Sequence, residues 1–140
     1  MTFERRRLRV YVAGPISSDI FEGVTRAIRV GKQMVADGLA PYIPHLDAFM
    51  FMHHEDGAWN SFLEWDLEWS TLAEAVYRLS GDSKGADLEV KMAEELGTPV
   101  FHESPTVVRD RRTTSGYRTE GGYDTLLKYA TEQGLRGVRV

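Results

Sequence analysis

Leu8-Arg9-Val10-Tyr11-Val12-Ala13-Gly14-Pro15 is the stretch that decides the fold. Its apolar, β-branched positions alternate, and Gly14-Pro15 then forbids continuation, so it reads as a strand running into a tight turn. From Asp19 the period changes. Ile20, Val24, Ala27, Ile28, Gly31, Met34 and Val35 recur at threes and fours, the stripe of an amphipathic helix. Asp37-Gly38 closes that helix, with glycine where a left-handed cap belongs. Leu39-Ala40-Pro41-Tyr42-Ile43 is a second strand, weakened by Pro41.

Downstream, residues 44–59 read as irregular. Ser61 and Glu64 have capping-box spacing and open a second helix, with Phe62, Trp65, Trp69 and Leu72 as its apolar stripe. Ala75-Val76-Tyr77-Arg78-Leu79 is a third strand, followed by the loop Ser80-Gly81-Asp82-Ser83. Ala86, Glu89, Val90, Ala93 and Leu96 mark a third helix closed by Gly97, and Thr98-Pro99-Val100-Phe101 is a fourth strand. Residues 104–122 are rich in Ser, Thr, Gly and Arg and read as a mobile loop. Tyr123 to Gln133 is a last helix with Leu126, Leu127 and Ala130 on its inner side; Val138-Arg139-Val140 is an added edge strand.

This alternation implies a single-domain α/β fold. The sheet is doubly wound and Rossmann- or flavodoxin-like, with four or five mostly parallel strands and helices on both faces. Residues 1–103 form its body, and 104–140 supply a mobile basic loop and a C-terminal helix packed on the same domain. Ligands on such sheets bind beyond the carboxyl ends of the strands. The loops of interest are therefore 13–19, 44–59, 80–85 and 102–122.

At 140 residues and 15.9 kDa a single domain is expected. A hydrophobic content of 42% excludes a wholly disordered chain. The absence of cysteine removes disulfides, a thiolate nucleophile and Cys-ligated zinc. No apolar run approaches the ~20 residues of a membrane helix, and the first residues lack a signal-peptide core. A soluble, cytoplasmic protein with no membrane partner is expected. The net charge of −4 is unevenly spread: +3 over residues 1–10, −9 over 51–104 and +3 over 105–140. The acidic middle argues against a nucleic-acid polymer as partner. Neither G-x-G-x-x-G nor a P-loop is present.

Glu89 is the most informative residue, because it falls on or beside the apolar stripe of its helix. A carboxylate there is costly unless paired, hydrogen-bonded or employed; a small rotation would instead expose it. Asp66, between Trp65 and Trp69, is either a solvent-facing carboxylate beside a buried aromatic stripe or the second acid of a pair. Two carboxylates from neighbouring helices at one sheet edge suit glycosidic-bond chemistry. Ser83 and Gly85 precede the Glu89 helix, as an ordinary N-cap or as an anion site. Gly14-Pro15 is a plain turn or a wall of the ligand crevice. His45 follows the second strand at the ligand edge, where it could face a base. The wider cluster of His45, Asp47, His53, His54, Glu55 and Asp56 lacks metal-ligand spacing on a helix and reads as solvated polar residues. Phe62, Trp65 and Trp69 read as core or subunit contact, and Trp59 with Phe49–Met52 as an apolar wall.

Taken together, Val10-Tyr11-Val12-Ala13-Gly14-Pro15, Trp65-Asp66-Leu67, Ser83-x-Gly85-x-x-x-Glu89 with Ala93, and Glu95-Leu96-Gly97-Thr98-Pro99-Val100 resemble the nucleoside 2-deoxyribosyltransferase superfamily. That group includes the 2′-deoxynucleoside 5′-phosphate N-hydrolases. The resemblance spans about residues 8–101 and implies a five-stranded parallel sheet in a homodimer or larger homo-oligomer. It implies Glu89 as nucleophile at C1′, Asp66 as holder of sugar hydroxyls or proton donor to the base, and Tyr11 as the residue lining the ribose and orienting Glu89 through its hydroxyl. It implies that Gly14 admits the ligand to the backbone, and that Ser83 meets a 5′-phosphate in the hydrolase branch. The phosphate-specific hydrolases carry an arginine after the first strand, where this chain has Ile16-Ser17-Ser18-Asp19.

The expected function is cleavage or transfer of the N-glycosidic bond of a (2′-deoxy)nucleoside or its 5′-monophosphate, without metal or redox cofactor. The small-molecule partner is the nucleoside or nucleotide. A non-catalytic nucleotide-binding or interaction module on the same fold is the alternative.

Overall fold

Strand β1 (Arg9–Ala13) lies between two neighbours, and its alternation sorts the core into two layers. Val10 and Val12 face one side of the sheet, Tyr11 and Ala13 the other, and all four are buried. The computed structural model describes residues 7–16, 20–47, 58–104, 106–109, 111–112 and 114–135. Outside these residues lie Arg5 and Arg6, Ser17–Asp19, the Phe49–Met52 run, His53, His54, Glu55, Asp56 and the Val138–Val140 strand.

From β1 the chain forms α1 (Ile20–Ala36), β2 (Ala40–Tyr42), a 3₁₀ turn (Pro44–Asp47) and α2 (Ala58–Ser70). It continues through β3 (Ala75–Arg78), α3 (Lys84–Glu95) and β4 (Val100–His102). The four strands are parallel in the order β2-β1-β3-β4, with Val10 opposite Pro41 and Ala75, and Tyr77 opposite Phe101. Helix α1 buries Ala27 and Met34 on the Val10/Val12 face. Helix α3 buries Ala86 and Ala93 on the Tyr11/Ala13 face. Each face is covered, so this is the expected doubly wound α/β sheet, with four strands among the described residues. No helix among them is long and apolar enough to cross a membrane.

Three expectations are corrected. The 104–122 stretch is not a loop throughout: β5 (Thr106–Arg109) and β6 (Tyr117–Glu120) pair antiparallel, Thr106 opposite Glu120. Thr-Val-Val and Tyr-Arg-Thr have strong β-propensity, which a composition rich in loop residues obscured. Helix α2 starts at Ala58, so Ser61 lies inside it rather than capping it. Of its aromatic stripe only Phe62 is core; Trp65 and Trp69 are 41% and 46% exposed and Leu72 is exposed too. The inward line is Phe62, Asp66 and Ser70, spaced at four. After the hairpin, α4 (Tyr123–Glu132) buries Leu126, Leu127 and Ala130 in the Val10/Val12 layer.

Helix α1 meets the loop after β1 at Gly23, where a Cβ would stand 2.3 Å from the Ile16 carbonyl oxygen. On an exposed helix surface Gly→Ala stabilises by about 1 kcal/mol. Here the clash with backbone reverses the sign. Gly23→Ala is expected to destabilise by about 1–3 kcal/mol, read as a lower midpoint in thermal or urea unfolding; an unchanged or raised midpoint would contradict the packing.

Candidate active site

The chain leaves β1 for α1 and β2 on one side, then crosses back to β3 on the other. The carboxyl ends of β1 and β3 therefore form the switch point of the sheet, where an open α/β fold leaves a crevice. A cleft of about 390 Å³ occupies it, within the range of small-molecule sites. The loop after β1 contributes Gly14, Pro15 and Ile16, the 3₁₀ turn Pro44 and His45, and α2 Phe62, Leu63 and Asp66. Residues 82–86 at the start of α3, with Glu89, complete the wall.

Two carboxyl groups reach this cleft from different helices. Glu89 lies one turn beyond Ala86 and one before Ala93, and these small neighbours let α3 lie close to Tyr11 and Val76. That closeness turns Glu89 inward, leaving it 6% exposed, with no partner for Oε2 among the described residues. Asp66, one turn beyond buried Phe62, is 2% exposed, and its Oδ1 has no partner among them either. A solvent-facing Asp66 is thereby excluded. Burial pushes Glu89 up to about 8, against milder opposing effects of the Tyr11 hydroxyl and the Arg78 charge. Burial likewise pushes Asp66 up to about 8, and the charges of Glu89 and Asp47 add to the rise. Over the range in which they titrate, the two carboxyls share protons as a pair.

Tyr11 is fully buried and forms no part of the cleft wall. Its hydroxyl is near enough to Glu89 to act on its ionisation, yet is not aligned into a hydrogen bond of normal geometry, and Oη is unpartnered. Burial first, and then the charges of Glu89 and Asp66, hold it firmly as a phenol. His45 is 1% exposed, and neither ring nitrogen has a hydrogen bond of normal geometry among the described residues. Burial lowers its pKa, while the Pro15 and Gly14 backbone pulls the other way, so the imidazole is neutral at pH 7. A Cβ on Gly14 would stand 2.7 Å from the Leu79 Cβ, so only glycine lets this loop pass so close to the end of β3.

Ser83 caps α3, its Oγ accepting from the Ala86 N–H at 3.1 Å, and it lines the cleft at the same time. The loop before it is tied down from two sides. Arg78 donates to the Gly81 carbonyl at 2.9 Å and to Asp87 at 3.0 Å. Arg26 donates to the Ser80 carbonyl at 2.8 Å and pairs with Glu103, which also accepts the Ser80 N–H at 3.0 Å. Glu89, Asp66, Gly14, Pro15, His45, Ser83 and Gly85 thus meet in one cleft, with Tyr11 beneath it. Sequence reasoning missed Leu63, Ile16 and Ile20 as lining; Phe62 is core as expected and lines the cleft as well. The four-residue step from Phe62 to Asp66 was the signal available. Among the described residues no three His, Asp or Glu side chains gather as a metal site.

A domain of unknown function, DUF7768, matches residues 8–103. The chain belongs to this family. No curated protein gives a significant sequence match. Solved structures do. A 2-deoxyribosyltransferase from the psychrotolerant bacterium Bacillus psychrosaccharolyticus is 20% identical with a TM-score of 0.51, over 77% of this chain and 81% of that one. A 2-deoxyribosyltransferase from Leishmania mexicana gives 18% identity and a TM-score of 0.53, over 81% and 79%. A conserved protein from Enterococcus faecalis V583 gives 18% and 0.53, over 94% and 77%. This DUF7768 chain has the fold of the 2-deoxyribosyltransferases.

The two buried carboxyls carry a stability signature. Their folded pKa values lie above the ordinary 3.8 and 4.5, so the folded state binds protons more tightly than the unfolded chain. Their contribution is most favourable below about pH 4 and is lost as pH rises to about 8. Glu89→Gln and Asp66→Asn are each expected to stabilise the protein by about 2 kcal/mol at pH 8.5 and by little at pH 4. Urea unfolding at both pH values reads the difference; equal midpoints for wild type and variants at pH 8.5 would contradict it.

Proposed function

We propose that this protein cleaves or transfers the N-glycosidic bond of a (2′-deoxy)nucleoside or its 5′-monophosphate, with Glu89 as nucleophile. The observation that carries the reading is the pair Glu89 and Asp66: two buried carboxyls from different helices, each with an unpartnered oxygen, in one cleft at the sheet's switch point. Burying two such groups disfavours folding at neutral pH, and proteins tolerate that cost where the groups are employed. The fold shared with 2-deoxyribosyltransferases supports the same chemistry.

In the first step an ionised Glu89 oxygen bonds to C1′ as the C1′–N bond breaks. The bonding pair passes to the base, which takes a proton from Asp66. Water or a second base then attacks C1′ of the sugar ester, the C1′–Oε bond breaks to return the Glu89 carboxylate, and the attacking group's proton passes to Asp66. Tyr11 lies close to Glu89, and its hydroxyl favours the ionised, attacking form of that carboxyl. His45 offers one N–H and one lone pair to the ligand, and Ser83 with the α3 N-terminus suits its 5′ end. The exposed Trp65, Trp69 and Leu72 lie beside the edge strand β2 and support a homo-oligomer, which light scattering of the purified chain reads.

Incubation with a panel of deoxynucleosides and their 5′-monophosphates, followed by chromatography, is expected to show free base. Glu89→Gln should bring release down to background, and Asp66→Asn should lower it about 10²–10⁴-fold. Release that survives Glu89→Gln, or none across the panel, would refute the reading.

A further inference from the structure

Arg26 stands on α1 and forms no part of the cleft wall, yet the loop that carries Ser83 into the cleft is fastened to it. Ser80 opens that loop, just past the bond from the Leu79 N–H to the Ala13 carbonyl at 2.7 Å. Both backbone polar groups of Ser80 are taken by side chains from elsewhere in the fold. Arg26 Nη1 donates to its carbonyl at 2.8 Å, and its own N–H donates to Glu103 Oε1 at 3.0 Å. Arg26 Nη2 donates to the same Oε1, which closes a ring of three hydrogen bonds. Glu103 is itself held at the end of β4, its N–H donating to the Arg78 carbonyl at 2.8 Å. The Ser80 and Ser104 hydroxyls, 2.7 Å apart, add a further tie.

The next residue carries this constraint into the cleft. Gly81 has φ +117°, and a Cβ there would stand 3.0 Å from Pro15 Cγ and 3.9 Å from Arg26 Nη1. Pro15 and residues 82–85 both line the cleft, so the seat of Gly81 against Pro15 fixes the spacing of these two parts of the wall. Ser83 Oγ accepts the Ala86 N–H and keeps its own proton to donate to a ligand.

We propose that Arg26, paired with Glu103, is a positioning residue that seats the β3–α3 loop against Pro15 and so presents the Ser83 hydroxyl to the 5′ end of the substrate. The inference rests on the place given above to that 5′ end. Arginine suits the task because its planar fork bonds a carbonyl with one nitrogen and a carboxylate with the other. A lysine ammonium is a point charge without that fixed geometry. The effect of Arg26 falls on binding at the 5′ end, and bond breaking at C1′ stays with Glu89 and Asp66.

Hydrogen exchange and base release, both on the full chain, test this. In Arg26→Gln the Ala86 amide, which bonds Ser83 Oγ, is expected to exchange about tenfold faster while the amides of α4 keep their rates. For whichever deoxynucleoside or 5′-monophosphate of the panel releases most base, KM should rise about tenfold, the worth of one hydrogen bond, with kcat nearly unchanged. With the matching 5′-deoxy nucleoside, which has no group at that end, wild type and variant should share one KM. Arg26→Lys should fall between the two. An unmoved Ala86 amide, an unmoved KM, or a fall in kcat in place of the rise in KM overturns the proposal. An equal rise in KM for the 5′-deoxy probe does so too, because a merely structural role gives that result. Should Arg26→Gln not fold, Glu103→Gln is read in its place, since it keeps an acceptor for the Ser80 N–H and loses the charge that holds Arg26. Faster exchange at Ala86 with no base released by wild type refutes the glycosidic reading and leaves the Arg26 clamp on the Ser83 loop standing.

Discussion

Two carboxyl groups withdrawn from water into one cleft set the terms for the rest of this molecule. Glu89 and Asp66 each lose hydration, and the charge of Glu89 adds to the cost of ionising Asp66, so both are pushed far above the ordinary carboxylate range. Such an arrangement persists only where the surrounding structure is rigid enough to impose it. The β3–α3 loop is pinned by Arg78 from one strand and by Arg26 with Glu103 from another pair of elements. The Tyr11, Tyr42 and Trp69 rings form a stacked floor and flank.

Topology explains why these groups meet. In the order β2-β1-β3-β4 the chain reverses direction around β1, and the loops after β1, β2 and β3 converge on one end of the sheet. Asp66 and Glu89, from helices α2 and α3, meet there although 23 residues of sequence separate them. The same fold serves the 2-deoxyribosyltransferases, while membership in a domain family of unknown function carries no activity of its own. Fold narrows the choice, and the pair of acids supplies the argument for function.

Helix α2 departs from the usual sorting of side chains. Its most apolar line, Trp65, Trp69 and Leu72, faces outward, while Asp66 and Ser70 join Phe62 on the inner side. Hydrophobic burial alone would rotate the helix the other way. The indoles are not idle in that position. Trp69 stacks on Tyr42 and Trp65 donates to its hydroxyl, so the outer face braces the ring that anchors Asp47.

By itself the sequence determined the sheet, because strand alternation and helical stripes are local periodicities that burial enforces within each element. Val10 and Val12 against Tyr11 and Ala13, and Ala86 and Ala93 on α3, are legible without coordinates. It also marked Glu89, since a carboxylate on an apolar stripe conflicts with its own helix. Only the tertiary structure decided which face of α2 turns inward, that 106–120 contains a paired hairpin, and that Tyr42 stacks on Tyr11 while it holds Asp47. Those facts depend on contacts between elements distant in sequence, where a turn of a helix by one position costs little locally but exchanges an indole for an acid at the cleft.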